Sequence, residues 1–138
     1  MIDRVLPQDA ELFERAVRRF RGTSGGGLAY LRSPGASAFV SHRGHEVVGW
    51  CWGYHLPRPD GFSMLYLHQL EVVESHRRQG IGRALLVAFM RAGAQAGATT
   101  MFLTTGEANT AARALYDSLG GGLATQGPTV NYWFRLNR

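Results

Sequence analysis

The chain of 138 residues predicts an α/β (α+β) fold, a mixed and mostly antiparallel sheet with helices on both faces. Three observations support this. Apolar residues switch repeatedly between strand-like alternation and helical spacing. Two β-rich runs flank Arg43-Gly44-His45 in the manner of a hairpin. Apolar residues make up 45% and charged residues 18%, over a length that suits one core, so a single domain spanning residues 1–138 is expected.

Ile2 to Leu6 reads as a short strand, after which Pro7 and Asp9 open a helix over 8–20 with Leu12, Phe13, Ala16, Val17 and Phe20 at helical spacing. Gly22-Thr-Ser-Gly-Gly-Gly27 stabilises neither helix nor strand and is either a mobile substrate loop or a connector. A short helical piece covers 28–32, and Pro34-Gly35 resets the chain before a strand at 36–42. The return strand, 46–56, holds Val47, Val48, Trp50, Trp52 and Tyr54, which favour a half-buried pleated surface. A loop at 57–61 leads to a strand at 64–73. From Gly80, Ile81, Ala84, Leu85, Ala88, Phe89 and Ala92 stripe one helical face, with Gly93 and Gly97 near its end. A strand is expected next, at 99–105. Asn109 then caps a helix to Leu119, Gly120-Gly121-Gly122 stops it, and closing strands are expected at 123–126 and 129–136.

Composition removes several classes of function. Cys51 is the sole cysteine, which excludes an internal disulfide and any multi-cysteine metal site and reads as a buried apolar thiol. All 15 basic residues are arginine, so there is no Schiff-base lysine and no P-loop lysine. No apolar run approaches the roughly 20 residues that span a bilayer, and the opening residues lack a signal-peptide layout, so a cytoplasmic protein without a membrane partner is expected. The net charge of +5 suits an anionic ligand, yet the arginines spread along the chain instead of lining one face, which argues against nucleic acid. His42, His45, His55 and His76 lack metal-ligand spacing, and no metal is expected.

The chemistry concentrates at His76-Arg77-Arg78-Gln79-Gly80-Ile81-Gly82-Arg83, between a strand and an amphipathic helix. Free amides and the positive end of a helix favour phosphate there. Gly80 and Gly82 admit phosphate oxygens close to the backbone, and Arg77, Arg78 and Arg83 add fixed charge. A dinucleotide fingerprint would want a third glycine where Leu85 stands, and a P-loop would want Gly-Lys-Ser/Thr. The bland reading is a solvated arginine cluster at a loop-to-helix junction.

Arg77-x-x-Gly80-x-Gly82, after a strand ending Leu70-Glu71-Val72-Val73, resembles the acyl-CoA motif of the GNAT N-acetyltransferase superfamily, and Asn109 to Tyr116 followed by Leu119-Gly120 resembles its second signature. The resemblance covers nearly the whole chain. It implies acetyl-CoA as acetyl donor and central strands that splay apart to admit it. It also implies direct attack by an amine, and it admits a homodimer. Val72 and Val73 would offer backbone groups to the acetyl carbonyl and the pantetheine arm. Arg77, Arg78, Gln79, Gly80, Ile81, Gly82 and Arg83 would hold the pyrophosphate, and Asn109 would face the pantetheine. Tyr116 would protonate the departing thiolate, against an alternative role in core packing. Glu71 comes first as general base and His68 second, either acting through water. Glu71 otherwise reads as a solvated strand-end carboxylate and His68 as a half-buried histidine. Attack through an acetylated Cys51 is the minor route.

A narrower resemblance joins Tyr30-Leu31-Arg32, Val47-Val48-Gly49, Leu56-Pro57 and Tyr66-Leu67-His68-Gln69-Leu70-Glu71-Val72 to the GNAT-type aminoglycoside 3-N-acetyltransferases of gentamicin resistance. It implies an aminoglycoside acceptor and a role in antibiotic resistance. Gln69 stands where that pattern has Asp, and the chain ends basic. Trp50, Trp52, Tyr54, Tyr132 and Trp133 read either as core or as an aromatic acceptor pocket. The alternatives are another small amine, a peptide or protein amine, or a non-catalytic CoA-binding module.

Overall fold

A computed structural model describes residues 1–137, which fall into two compact units, one from Met1 to Thr104 and one from Thr105 on. The first carries strands β1 (Ile2–Arg4), β2 (Ala36–Arg43), β3 (Glu46–Pro57), β4 (Ser63–Val72) and β5 (Thr100–Phe102), hydrogen-bonded in that order. Its helices are α1 (Ala10–Arg21), entered through a 3-10 turn at Pro7–Asp9, α2 (Gly27–Arg32) and α3 (Ile81–Gln95). Strands β1 to β4 pair antiparallel and β5 runs parallel to β4, which is the mixed, mostly antiparallel sheet the sequence predicts.

Alternation along the strands puts different helices on the two faces. Ala38, Val40 and Trp50 bury against Val5, Phe13, Ala16 and Leu31, beneath α1 and α2. Their neighbours point the other way, toward α3. Phe39 meets Phe89 edge to face at 6.5 Å, and the Cys51 thiol donates to the Leu85 carbonyl at 3.7 Å. Leu85, Leu86 and Phe89 are fully buried, each stabilising the fold by roughly 1.5–3 kcal/mol. At Gly93 a Cβ would sit 2.2 Å from a Leu65 methyl, so α3 lies on the sheet at a spacing only glycine permits.

Two irregularities shape the sheet around β4. Trp52 pairs with Gln69 but Gly53 pairs with Leu67, leaving His68 as the extra residue of a β-bulge. Opposite it, a Cβ on Gly53 would lie 1.9 Å from the Tyr66 carbonyl oxygen. The ladder between β4 and β5 covers only Met64–Tyr66 and Thr100–Phe102. Beyond Tyr66, β4 continues to Val72 with no strand paired on that side among the described residues. Strand β5 is thus shorter than the 99–105 span predicted.

The second unit carries α4 (Thr110–Ser118), and Asn109 caps it as predicted, its Oδ1 accepting from the Ala112 N–H at 3.1 Å. Gly120, at φ 91°, and the Gly121 N–H donating to the Tyr116 carbonyl at 2.9 Å close the helix. The strands expected at 123–126 and 129–136 are not formed in the described residues. Leu123, Val130, Tyr132, Trp133 and Phe134 are exposed instead. Alternation becomes a strand only where a neighbour takes up the backbone groups, and no described segment does so. Among the described residues no helix is long and apolar enough to cross a membrane.

Candidate functional site

On the α1/α2 face of the sheet lies a cleft of about 440 Å³. Helix α1 contributes Phe13, Val17 and Arg21, which share one face at four-residue spacing. Strand β3 contributes Trp50, Trp52 and Tyr54 from alternate positions, and α2 contributes Tyr30. These rings support one another: Phe20 stacks on Trp50 at 5.4 Å, and Tyr30 meets Trp52 and Tyr54 edge-on at 5.2 and 5.6 Å. The Tyr30 hydroxyl donates to the Gly53 carbonyl at 2.6 Å and accepts from the Ser37 N–H at 3.2 Å. Burial pushes its phenol well above the usual range, and these backbone bonds hold Tyr30 as a fixed wall of the cleft.

The polar part of the cleft is a single network. Glu71 Oε1 accepts from the Trp50 indole N–H at 3.0 Å and from Arg21 Nη2 at 2.5 Å. Gln69 Oε1 accepts from the Trp52 indole N–H at 2.8 Å and from Arg21 Nε at 3.2 Å. The third arm of the guanidinium, Nη1, donates to the Phe20 carbonyl at 3.2 Å. The bulge turns His68 toward the same indole, where its exposed ring stacks on Trp52 at 4.5 Å. The two candidate bases thus adjoin one aromatic wall, Glu71 through Trp50 and His68 through Trp52. Sequence reasoning missed Arg21, Gln69 and Tyr30 as members of this site.

At the other end of β4 the chain turns into α3. The Val73 N–H donates to the Val48 carbonyl at 2.9 Å and its carbonyl accepts from the His76 N–H at 3.0 Å, so the Val73 backbone is engaged within the protein. In an antiparallel ladder that arrangement turns the backbone of Val72 away from β3, toward the edge left open beyond Tyr66. The Val72 carbonyl accepts from Arg77 Nε at 3.1 Å, and Gln79 Oε1 accepts from Arg43 Nη2 at 2.9 Å.

Arg78 (φ 64°) and Gly80 (φ 79°) both adopt the left-handed conformation, which costs a non-glycine residue roughly 1–2 kcal/mol. Gly80 is the N-cap of α3 and brings no side chain to the amides of the first turn, and a Cβ placed on it would meet no protein atom within 4 Å. No acidic residue stands in that turn, whereas Arg77, Arg78 and Arg83 are exposed around it. Clear space, helix-terminal amides and guanidinium groups fit a polyphosphate.

Cys51 is fully buried against α3, and burial pushes its thiol far up, away from thiolate. Asn109 and Tyr116 lie in the second unit, at the cap and in the body of α4, with Tyr116 half-buried.

The acetyltransferase (GNAT) family model matches residues 8–120. N-acetyltransferase 8 of Rattus norvegicus is 32% identical over 93 residues, which cover 67% of this chain and 42% of that relative. The chain thus matches about two fifths of that longer protein. An aminoglycoside acetyltransferase, HMB0005, from an uncultured soil metagenomic sample shares the fold, with TM-score 0.83 and 23% identity over 99% of this chain and 98% of that one. Aminoglycoside N-acetyltransferase AAC(6')-Iy, solved in complex with CoA, shares it with TM-score 0.78 and 17% identity over 99% and 95%.

Proposed function

The chain belongs to the acetyltransferase (GNAT) family, and from that premise we propose that residues 1–138 act as one catalytic domain that acetylates a primary amine held in the aromatic cleft. Acetyl-CoA supplies the acetyl group, as a thioester. The observation that carries the reading is the bare N-terminus of α3, with Gly80 at its cap, placed directly after a β4 edge that no described strand covers beyond Tyr66.

Each residue then has a task. Arg77, Arg78, Gln79, Gly80, Ile81, Gly82 and Arg83 bind the diphosphate through backbone amides and guanidinium charge. The Val72 N–H donates to the acetyl carbonyl oxygen, where negative charge develops during attack. Val73 supports this position through its bonds to Val48 and His76. Glu71 takes the proton of the incoming ammonium through water on Oε2, its Oε1 being engaged by Trp50 and Arg21. His68 is the second candidate for that proton. Asn109 faces the pantetheine, and Tyr116 returns a proton to the leaving sulfur. Proximity in the cleft supplies much of the remaining barrier reduction.

For the acceptor, an aminoglycoside is the reading that the sequence pattern and the HMB0005 fold support. A second reading, a smaller amine with an apolar body, is favoured by the lining of the cleft. Among the described residues that lining holds six aromatic or aliphatic side chains and no carboxylate.

Titration calorimetry with acetyl-CoA, followed by a thiol-release assay over aminoglycosides, polyamines, alkylamines and peptide amines, tests the proposal. Binding together with turnover of at least one amine is expected. Binding without turnover of any amine leaves a CoA-binding module, and no binding by folded protein defeats the reading altogether.

A further inference from the structure

Resting on the acetyltransferase reading, and on the smaller apolar amine in place of the aminoglycoside as acceptor, the geometry points to Arg21 as the residue that sets acceptor specificity, by making the cleft select amines that carry one positive charge on an apolar body. Among the described residues, Arg21 is the only charged one lining the cleft. A guanidinium is at once the cation that a second ammonium group would have to replace and the charge that would repel it.

The network explains why Arg21 stays in place. All three arms of the guanidinium are engaged, by Gln69, Glu71 and the Phe20 carbonyl. Glu71 and Gln69 are themselves held by the indoles of Trp50 and Trp52, whose rings form the sheet wall of the cleft. The one carboxylate of this network is therefore already ion-paired. The neighbouring polar position, Gln69, is a neutral amide. Glu14 is the other nearby carboxylate: its Oε2 accepts from the Gly25 N–H at 2.9 Å, which ties the glycine-rich loop to α1, and its Oε1 is buried behind Gly27 without a hydrogen-bond partner, outside the residues that line the cleft.

An acceptor therefore meets rings and the partly exposed Arg21 guanidinium, with no carboxylate among the described lining residues to receive a second ammonium group. A like charge brought beside a half-exposed guanidinium should cost on the order of five- to tenfold in kcat/KM.

The test uses a pair of acceptors with the same six-carbon chain that differ by one terminal ammonium group, hexylamine and 1,6-diaminohexane, with 2-phenylethylamine and kanamycin at the extremes. The full chain should turn over hexylamine and 2-phenylethylamine at least about fivefold more efficiently than the diamine, and kanamycin least well. Arg21→Gln should narrow the monoamine-to-diamine ratio by about five- to tenfold, and Arg21→Lys, which keeps the charge, should restore it. A purely structural role would lower all rates together and leave the ratio where it was. A ratio unchanged by Arg21→Gln in a protein that still unfolds cooperatively, or a native enzyme that prefers the diamine or kanamycin, overturns the inference while leaving the acetyltransferase reading standing. Release of no thiol with any amine, by protein that binds acetyl-CoA, overturns that reading and this inference with it.

Discussion

Cys51 and Tyr116 both carry groups capable of acid–base or covalent chemistry, and their settings separate them. The Cys51 thiol is enclosed by α3, donates to Leu85 and is pushed up by burial, so almost no thiolate forms near neutrality. Native protein should therefore resist a thiol reagent that labels the denatured chain at once, and Cys51→Ala should retain turnover within about threefold. Loss of all turnover in a folded Cys51→Ala protein would restore the acetyl-cysteine route. Tyr116→Phe should lower kcat roughly 10- to 1000-fold and leave acetyl-CoA affinity unchanged if the phenol is the proton donor. Unaltered kcat would return Tyr116 to packing. Gly80 combines a left-handed φ with open space where a Cβ would go. Gly80→Val should thus cost about 1–2 kcal/mol in strain, measurable by denaturant unfolding, and should abolish acetyl-CoA binding in calorimetry because the new side chain fills the phosphate space.

At the level of elements, the sites of closest approach decide what tolerates change. Gly53→Ala would drive a Cβ into the Tyr66 carbonyl opposite the bulge, where backbone cannot yield as a flexible side chain would. A loss of about 3 kcal/mol or more is expected, read from the denaturation midpoint. The β2–β3 hairpin, α3 and the cap at Asn109 were legible in the sequence because each depends on local periodicity or on one capping side chain. The bulge was not, because His68 and Gln69 both contact Trp52 and so depart from strict alternation. The Arg21 network was equally hidden. A basic residue at a helix C-terminus ordinarily answers the helix dipole, and its partners lie 48 and 50 residues away. The predicted closing strands failed for the converse reason, since Tyr132 to Leu136 have the composition of a strand without a described neighbour to complete one.

For the molecule as a whole, the net charge of +5 near neutrality, its 15 basic residues all arginine, should draw a polyanionic ligand at long range. Acetyl-CoA affinity should fall as ionic strength rises, and saturation at about 100 times Kd should add about 2.7 kcal/mol of stability, seen as an upward shift in Tm. Salt-independent binding would place the recognition elsewhere than in the arginines around α3. The short β4–β5 ladder has a consequence for the life of the protein in the cell. A sheet interrupted partway offers an unfinished hydrogen-bonding template, which another chain can extend as readily as a pantetheine can. Nascent or ligand-starved molecules should therefore clump during expression, and supplementing the lysis buffer with CoA should raise the soluble yield.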